Sequence, residues 1–197
     1  MAISQNITAF RRKQGGFSLL ELLAVVAIIG LAVFTVMKVK KGAELRSAVQ
    51  SLSSNIAFVI QKAPEVYPST FAGLTCPILA NNGAFTGTSF RVDRTVPATP
   101  VVFYNNEANS ALTCAASNVF GTNDAYTVSF PALTNDMCNE VADKLNASAW
   151  VMTINGTSVK AARGALNSTT KGDLCNATGT ADNQTLVATF ARSLPPQ

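Results

Sequence analysis

Residues 15–41 read GGFSLLELLAVVAIIGLAVFTVMKVKK and hold the longest apolar run of the chain. Within residues 17–37 the one charged side chain is Glu21, and basic residues close the run from Lys38 onward. A helix needs about 20 apolar residues to cross a bilayer, so this run is just long enough. The run therefore predicts a membrane-spanning helix over residues 17–37.

Basic residues also precede the run. Arg11, Arg12 and Lys13 contribute three charges to a formal net charge of +4, and the head sequence beyond the run is close to neutral. Because basic residues favour the cytoplasmic side of a membrane, this pattern predicts a cytoplasmic N-terminus. Nucleic-acid binding would require a basic face interleaved with aromatic residues, which the sequence lacks, so no nucleic-acid partner is expected.

Three simple interpretations of the run compete. A cleaved signal peptide would place small residues after the run, where this chain has Lys38 and further lysines. An uncleaved anchor leaves Glu21 unexplained, because a carboxylate in the hydrocarbon costs about 2.5–3.5 kcal/mol. A buried core helix is rarely apolar on all faces in a domain of this size.

A fourth interpretation rests on the sequence GGFSLLE at residues 15–21, which resembles the prepilin cleavage motif of type IV pilins. The resemblance implies that a prepilin peptidase removes residues 1–16 as a leader by cutting between Gly16 and Phe17. Phe17 then becomes the first mature residue and is N-methylated, and Glu21 becomes the fifth.

Cleavage would give Glu21 a partner. The new α-ammonium group at Phe17 and the Glu21 carboxylate are each costly to bury alone, and pairing offsets much of that cost. We therefore expect Glu21 and Phe17 to set the axial register when subunits assemble. The alternative is that Glu21 snorkels to the lipid headgroups.

Beyond the lysines the apolar residues recur at steps of three and four, as on one face of a helix: Leu45, Val49, Leu52, Ile56, Val59 and Ile60. Pro64 should end this pattern, because the residue before a proline avoids the helical region. The sequence thus predicts one helix over about 17–62. Residues 17–37 are apolar all round, and residues 38–63 form an amphipathic half.

Residues 64–197 read as a globular head. Residues 64–87 look irregular, residues 134–147 look helical, and Asn155-Gly156 is a strong hairpin signal. Short runs rich in Val, Thr, Phe and Tyr predict six strands: Ser89–Val92, Val101–Tyr104, Ala125–Phe130, Trp150–Ile154, Thr157–Lys160 and Leu186–Phe190. The predicted fold class is α+β, with the long N-terminal helix packed on an antiparallel sheet.

The chain has four cysteines, Cys76, Cys114, Cys138 and Cys175, and no histidine. Zinc sites usually show closely spaced ligand pairs, and no CxxC pair occurs here, so no metal or cofactor is expected. An even number of cysteines after an export-like segment favours two disulfides in an oxidising compartment. The spacing leaves three connectivities open.

The head adds a looser resemblance to class IVb pilins, including toxin-coregulated and plasmid or enterobacterial thin-pilus pilins. It rests on a strand, a Leu-Thr-x-x-x-Cys sequence that opens a helix, and a cysteine before a last strand: Tyr126–Phe130, Leu133-Thr134, Cys138, Leu174-Cys175 and Leu186–Phe190. The resemblance implies the pilin fold, a Cys138–Cys175 disulfide and, with it, a Cys76–Cys114 disulfide.

The expected function is structural. No nucleophile elbow, paired carboxylate motif or phosphate loop is found, so an enzyme is not expected. The resemblance implies a subunit held in the inner membrane and then polymerised into an extracellular helical filament, with adhesion, aggregation or conjugative contact as its role. Its implied partners are its own copies, membrane lipid, the prepilin peptidase, an inner-membrane assembly platform and an ATPase. A minor pilin or pseudopilin, or an anchored periplasmic binding or enzymatic domain, are the alternatives.

Overall fold

The computed structural model describes residues 19–177 and 183–192, and within residues 19–42 it describes the side chains of Leu23, Ala27 and Ile29. The chain divides into two compact units, Met1–Gly42 and Ala43–Gln197. The described elements, in chain order, are α1 (Leu19–Val66), α2 (Cys76–Asn81), β1 (Arg91–Asp93), β2 (Val101–Phe103), β3 (Thr113–Ser117), β4 (Ala125–Leu133), α3 (Asn135–Leu145), β5 (Val151–Ile154), β6 (Thr157–Lys160), α4 (Ser168–Cys175) and β7 (Gln184–Ala191).

Helix α1 buries one stripe of its second half in the head. The stripe is formed by residues three or four apart, as expected for the face of an amphipathic helix: Val49, Leu52, Ile56, Val59 and Ala63. On the same part of the helix, Asn55 donates from Nδ2 to the Ser89 hydroxyl at 2.6 Å. The predicted amphipathic helix is therefore present and is fastened to the head by polar contacts as well as by its apolar stripe.

Pro64 does not end α1, so that prediction is wrong: the helix continues to Val66. Pro64 lies in the last turn, where its missing N–H removes a single helical hydrogen bond and few residues follow it. The N–H of Tyr67 still donates to the carbonyl of Ala63 at 3.0 Å. One such bond beside the proline is enough to complete the last turn.

No helix among the described residues is long and apolar enough to cross a membrane. The predicted span, residues 17–37, falls mostly on side chains outside the described ones. The membrane span therefore stays a prediction.

The head is built on a five-stranded antiparallel sheet in the order β3-β4-β7-β5-β6. The last strand in the sequence, β7, is thus the central strand. Strands β1 and β2 form a separate two-stranded sheet. Central placement of β7 means that the end of the described chain holds the two halves of the main sheet together.

One face of the sheet forms the core with α1. Alternate residues of the neighbouring strands β4 and β7 are buried and lie opposite one another, in the pairs Tyr126–Phe190, Val128–Ala188 and Phe130–Leu186. These side chains belong to the same hydrophobic cluster as the α1 stripe. The α+β class with a helix packed on an antiparallel sheet is confirmed.

All six predicted strands occur, with ends shifted by up to a few residues. The Asn155-Gly156 hairpin is confirmed, because both residues have positive φ, 50° and 80°, between β5 and β6. Thr134 caps α3, since its hydroxyl accepts from the Met137 N–H at 3.2 Å.

Three elements were not predicted: α2, β3 and α4. Helix α2 falls within residues 64–87, so the expectation of an irregular connection there is wrong for Cys76–Asn81. Its six residues follow an N-capping Thr75 and begin beside Pro77, signals too short to stand out among turn residues. Strand β3 reads TCAAS, which has one β-branched residue, and it lies at the edge of the sheet.

Candidate functional site

Both predicted processing residues, Gly16 and Phe17, lie outside the described residues. Glu21 lies in α1, and its side chain is outside the described ones. Cleavage, N-methylation and the register role of Glu21 therefore stay predictions. The candidate functional surface that the structure describes lies on the head.

The segment between Cys138 and Cys175 is closed by a disulfide that joins α3 to the last residue of α4. The two Cα atoms are 5.6 Å apart, and both residues are fully buried. This is the pairing that the resemblance to class IVb pilins implies. The segment contains the β5–β6 hairpin, so one covalent bond encloses two helices and an exposed turn.

A charged contact runs beside that disulfide. Lys171 of α4 donates from Nζ to both carboxylate oxygens of Asp143 of α3, each at 2.8 Å. The Lys171 side chain is 10% exposed and that of Asp143 is 55% exposed. Because the ammonium group is nearly buried, it depends on Asp143 for its charge partner.

The second disulfide joins Cys76, the first residue of α2, to Cys114 of β3, with Cα atoms 4.8 Å apart. Next to it, Thr75 and Ala115 form an isolated antiparallel bridge. The bond thereby fastens the connection after α1 to the edge strand of the sheet, and all four cysteines of the chain are paired.

A network of three amide side chains fixes the hairpin to the centre of the sheet. Asn155 donates from Nδ2 to Oε1 of Gln184 at 2.5 Å, and its Oδ1 accepts from the Thr185 N–H at 2.9 Å. Gln184, which is fully buried, donates from Nε2 to Oδ1 of Asn135 at 3.3 Å. The turn, the central strand and the start of α3 are thus held by one polar cluster.

A cavity of about 300 Å³ lies on this part of the head, between the residues that follow α3 and those that follow β6. Its lining includes Trp150, Lys160 and Arg163. The Phe120 ring meets the Trp150 ring nearly edge-on, with centroids 4.8 Å apart and an interplanar angle of 86°. The Arg163 guanidinium lies over the Phe120 ring, 4.9 Å from its centroid.

Both cations of the cavity are held in unusual settings. Lys160 donates from Nζ to the backbone carbonyl of Asn146, and burial lowers the pKa of its ammonium group. Arg163 has a φ of 60°, in the left-handed region that disfavours residues other than glycine by about 1–2 kcal/mol. The turn holds this strain while it places the guanidinium against Phe120.

Asp124 shapes the loop that presents Phe120. Its carboxylate accepts from the N–H groups of Val119 at 2.9 Å and Phe120 at 2.8 Å. Burial by itself raises the pKa of the Asp124 carboxyl, but backbone N–H donors of residues 119, 120, 121 and 124 together lower this pKa below its ordinary value. The charged form of Asp124 therefore stabilises the loop.

Sequence reasoning did not assign a role to Phe120, Trp150, Lys160 or Arg163. One signal was available, because Trp150 is the only tryptophan of the chain. The positive φ of Arg163 and its stacking on Phe120 leave no mark in the local sequence. In residues 19–177 and 183–192, no group of three or more His, Cys, Asp or Glu side chains would hold a metal ion.

Comparison with known proteins identifies a sequence motif and several similar solved structures. The prokaryotic N-terminal methylation motif matches residues 11–37. The type IVb pilin from Salmonella typhi is similar in structure, with a TM-score of 0.48, 17% sequence identity, and coverage of 76% of this chain and 99% of that one. TcpA, a type IV pilin from Vibrio cholerae El Tor biotype, gives a TM-score of 0.47 and 11% identity, with coverage of 74% and 99%.

No curated protein sequence matches the chain significantly. The N-terminal match includes Gly16, Phe17 and Glu21, the residues on which the prepilin interpretation rests. The chain thus carries the prokaryotic N-terminal methylation motif.

Proposed function

We propose that the chain is the precursor of a type IV pilin, a structural subunit that is processed once and polymerised into an extracellular filament for adhesion, aggregation or conjugative contact. The observation that carries the proposal is the N-terminal methylation motif over residues 11–37. Prepilin peptidase cuts between Gly16 and Phe17, Phe17 is N-methylated, and Glu21 takes part in assembly.

The proposal divides the chain into four parts. Residues 1–16 are the leader, residues 17–37 are the helix that lies in the membrane and then in the filament core, residues 38–63 are the amphipathic half, and residues 64–197 are the head. Support comes from the second half of α1, whose apolar stripe belongs to the head core. A helix fastened in this way can transmit force from the filament core to the head.

The proposed location follows from the chemistry at each end. The basic leader keeps the N-terminus in the cytoplasm, and the subunit waits in the inner membrane as a single-pass protein. The paired cysteines of the head suit the oxidising space outside the cytoplasm. The proposed partners of the chain are its own copies, membrane lipid, the prepilin peptidase, an assembly platform and an ATPase.

The test is N-terminal sequencing and mass measurement of the full chain expressed with and without a prepilin peptidase. We expect a mature start at Phe17 that carries the mass of one methyl group when the peptidase is present, and an intact Met1 start without it. Gly16→Val should block the cut, and Gly15→Val is the matched control that should be cut normally. An intact leader on the native filament protein would refute the proposal.

A minor pilin or a pseudopilin of a secretion system is the second candidate, because the motif at residues 11–37 suits its processing equally well. The two candidates differ in abundance. A major pilin should dominate filaments sheared from the cell surface, whereas a minor pilin or pseudopilin should be a trace component or absent.

A further inference from the structure

The cavity beside Trp150 is rich in free hydrogen-bond donors. Within the described residues, the exposed Arg163 guanidinium makes no hydrogen bond or ion pair, and it lies over the Phe120 ring. Lys160 uses one of its three donors on the Asn146 carbonyl. The Trp150 indole N–H has no acceptor in the described part of the chain.

The same cavity is poor in negatively charged hydrogen-bond acceptors. No Asp or Glu is among its described lining residues. The Asp124 carboxylate below the Phe120 loop is already occupied by backbone N–H groups. Two cations without a carboxylate between them create a positive local potential, so a ligand must supply acceptor oxygens and a negative charge.

An aromatic wall flanks these donors. Phe120 is 38% exposed and stands nearly perpendicular to Trp150. At about 300 Å³ the cavity is at the small end of ligand sites, with room for one compact ring. A long polyanion would call for a track of cations beyond Lys160 and Arg163. The shape and the wall favour a small ligand with an apolar face.

We propose that this cavity binds an acidic sugar, a single pyranose ring that bears a carboxylate, within or at the end of a glycan. Arg163 and Lys160 pair with the carboxylate, because charge-assisted bonds from a guanidinium are strong and directional. The C–H face of the ring packs on Trp150, which lines the cavity, and a hydroxyl of the sugar accepts from the indole N–H. This inference goes beyond the proposed function, since it concerns the head whether or not the chain polymerises.

Trp150 supplies the readout, because it is the only tryptophan of the chain. The full chain in detergent is titrated with methyl β-glucuronide, with the methyl glycoside of sialic acid, and with the neutral methyl β-glucoside. We expect a saturable change in tryptophan fluorescence with at least one acidic sugar, and at least about tenfold weaker binding of the neutral one. Equal binding of the neutral sugar, or no response to either acidic sugar, would overturn the proposal.

Arg163→Gly tests the site without straining the fold, because glycine suits a φ of 60°. We expect this variant to keep or raise its thermal midpoint and to bind the acidic sugar at least about tenfold more weakly. Unchanged binding by Arg163→Gly would overturn the assignment.

Arg91→Gln is the matched control, because Arg91 also stacks on a ring of the head, 4.1 Å from the Phe103 centroid. Its affinity should stay within about twofold of that of the native chain, as for an exposed charge remote from the site. An equal loss in both variants would instead indicate a general charge effect and overturn the site. A thymidine oligonucleotide is added as a competitor of the bound sugar. If the oligonucleotide displaces the sugar at lower concentrations than free glucuronide does, the cavity is instead a site for single-stranded nucleic acid.

Discussion

Lys171 and Asp143 form a charged contact between two helices of the head, with the ammonium nitrogen 2.8 Å from each carboxylate oxygen. The contact joins α4 to α3 at a sequence separation of 28 residues, alongside the Cys138–Cys175 disulfide. The covalent and the ionic contact thus hold the same two helices. Their contributions to stability can be separated by substitution.

Asp143→Asn should destabilise the full chain by about 1–2 kcal/mol, because it leaves the nearly buried Lys171 ammonium without a counter-charge. The value is below the 3–5 kcal/mol of a fully buried pair, since Asp143 is 55% exposed. The measurement is the urea midpoint in detergent. Adding Lys171→Met to the Asp143→Asn variant should restore most of the lost stability, because no charge then remains buried.

The exposed Lys62–Glu65 pair, whose side chains are 39% and 62% exposed, is the matched control. Glu65→Gln should shift stability by less than about 0.5 kcal/mol. Equal effects of Glu65→Gln and Asp143→Asn would show that burial of Lys171 contributes nothing.

The two disulfides close loops of almost equal length, with sequence separations of 38 and 37 residues. The chain-entropy model therefore predicts a similar loss for each, about 4 kcal/mol. Paired serine substitutions of Cys138 with Cys175, and of Cys76 with Cys114, would be compared by thermal unfolding. A much larger loss for one pair would mean that native contacts, rather than loop entropy, dominate its contribution.

Lower pH should loosen the loop that presents Phe120. The pKa of Asp124 is depressed in the folded chain, so its stabilising effect is present above the unfolded pKa and is lost as the pH falls through the folded pKa. Asp124→Asn should lower stability at neutral pH by under about 1 kcal/mol, because Asp124 is only half-buried and solvent screens its charge. The difference between native and variant chains should vanish in acid.

Trp150 fluorescence measures this change, because the Trp150 and Phe120 rings are in contact. A native–variant difference that persists at pH values below the folded pKa would exclude the Asp124 carboxylate as its cause.

Glu21→Ala should leave cleavage and membrane insertion intact and should reduce filament assembly strongly, because the Phe17 ammonium would lose its carboxylate partner. Sheared surface filaments are quantified beside the processed protein in the membrane fraction. Glu21→Asp is the control that keeps the charge, and it should assemble better than Glu21→Ala. Normal piliation of Glu21→Ala would contradict the register role.

The parts of this protein that the sequence determined are those whose cause is local. The stripe of Val49, Leu52, Ile56 and Val59 follows from helical periodicity, and Asn155-Gly156 specifies a hairpin because both residues accept positive φ. The N-terminal methylation motif at residues 11–37 is likewise a contiguous string. Even here a local signal can mislead, because Pro64 predicts the end of a helix that runs on to Val66.

Only the tertiary structure decided the strand order and the surface of the head. Strand β7 is central because its two edges pair with β4 on one side and β5 on the other, a choice between distant partners that no short pattern encodes. The same holds for Lys171 beside Asp143 and for Arg163 over Phe120. Such contacts arise from chain closure around a shared core, so their residues carry no common signal along the sequence.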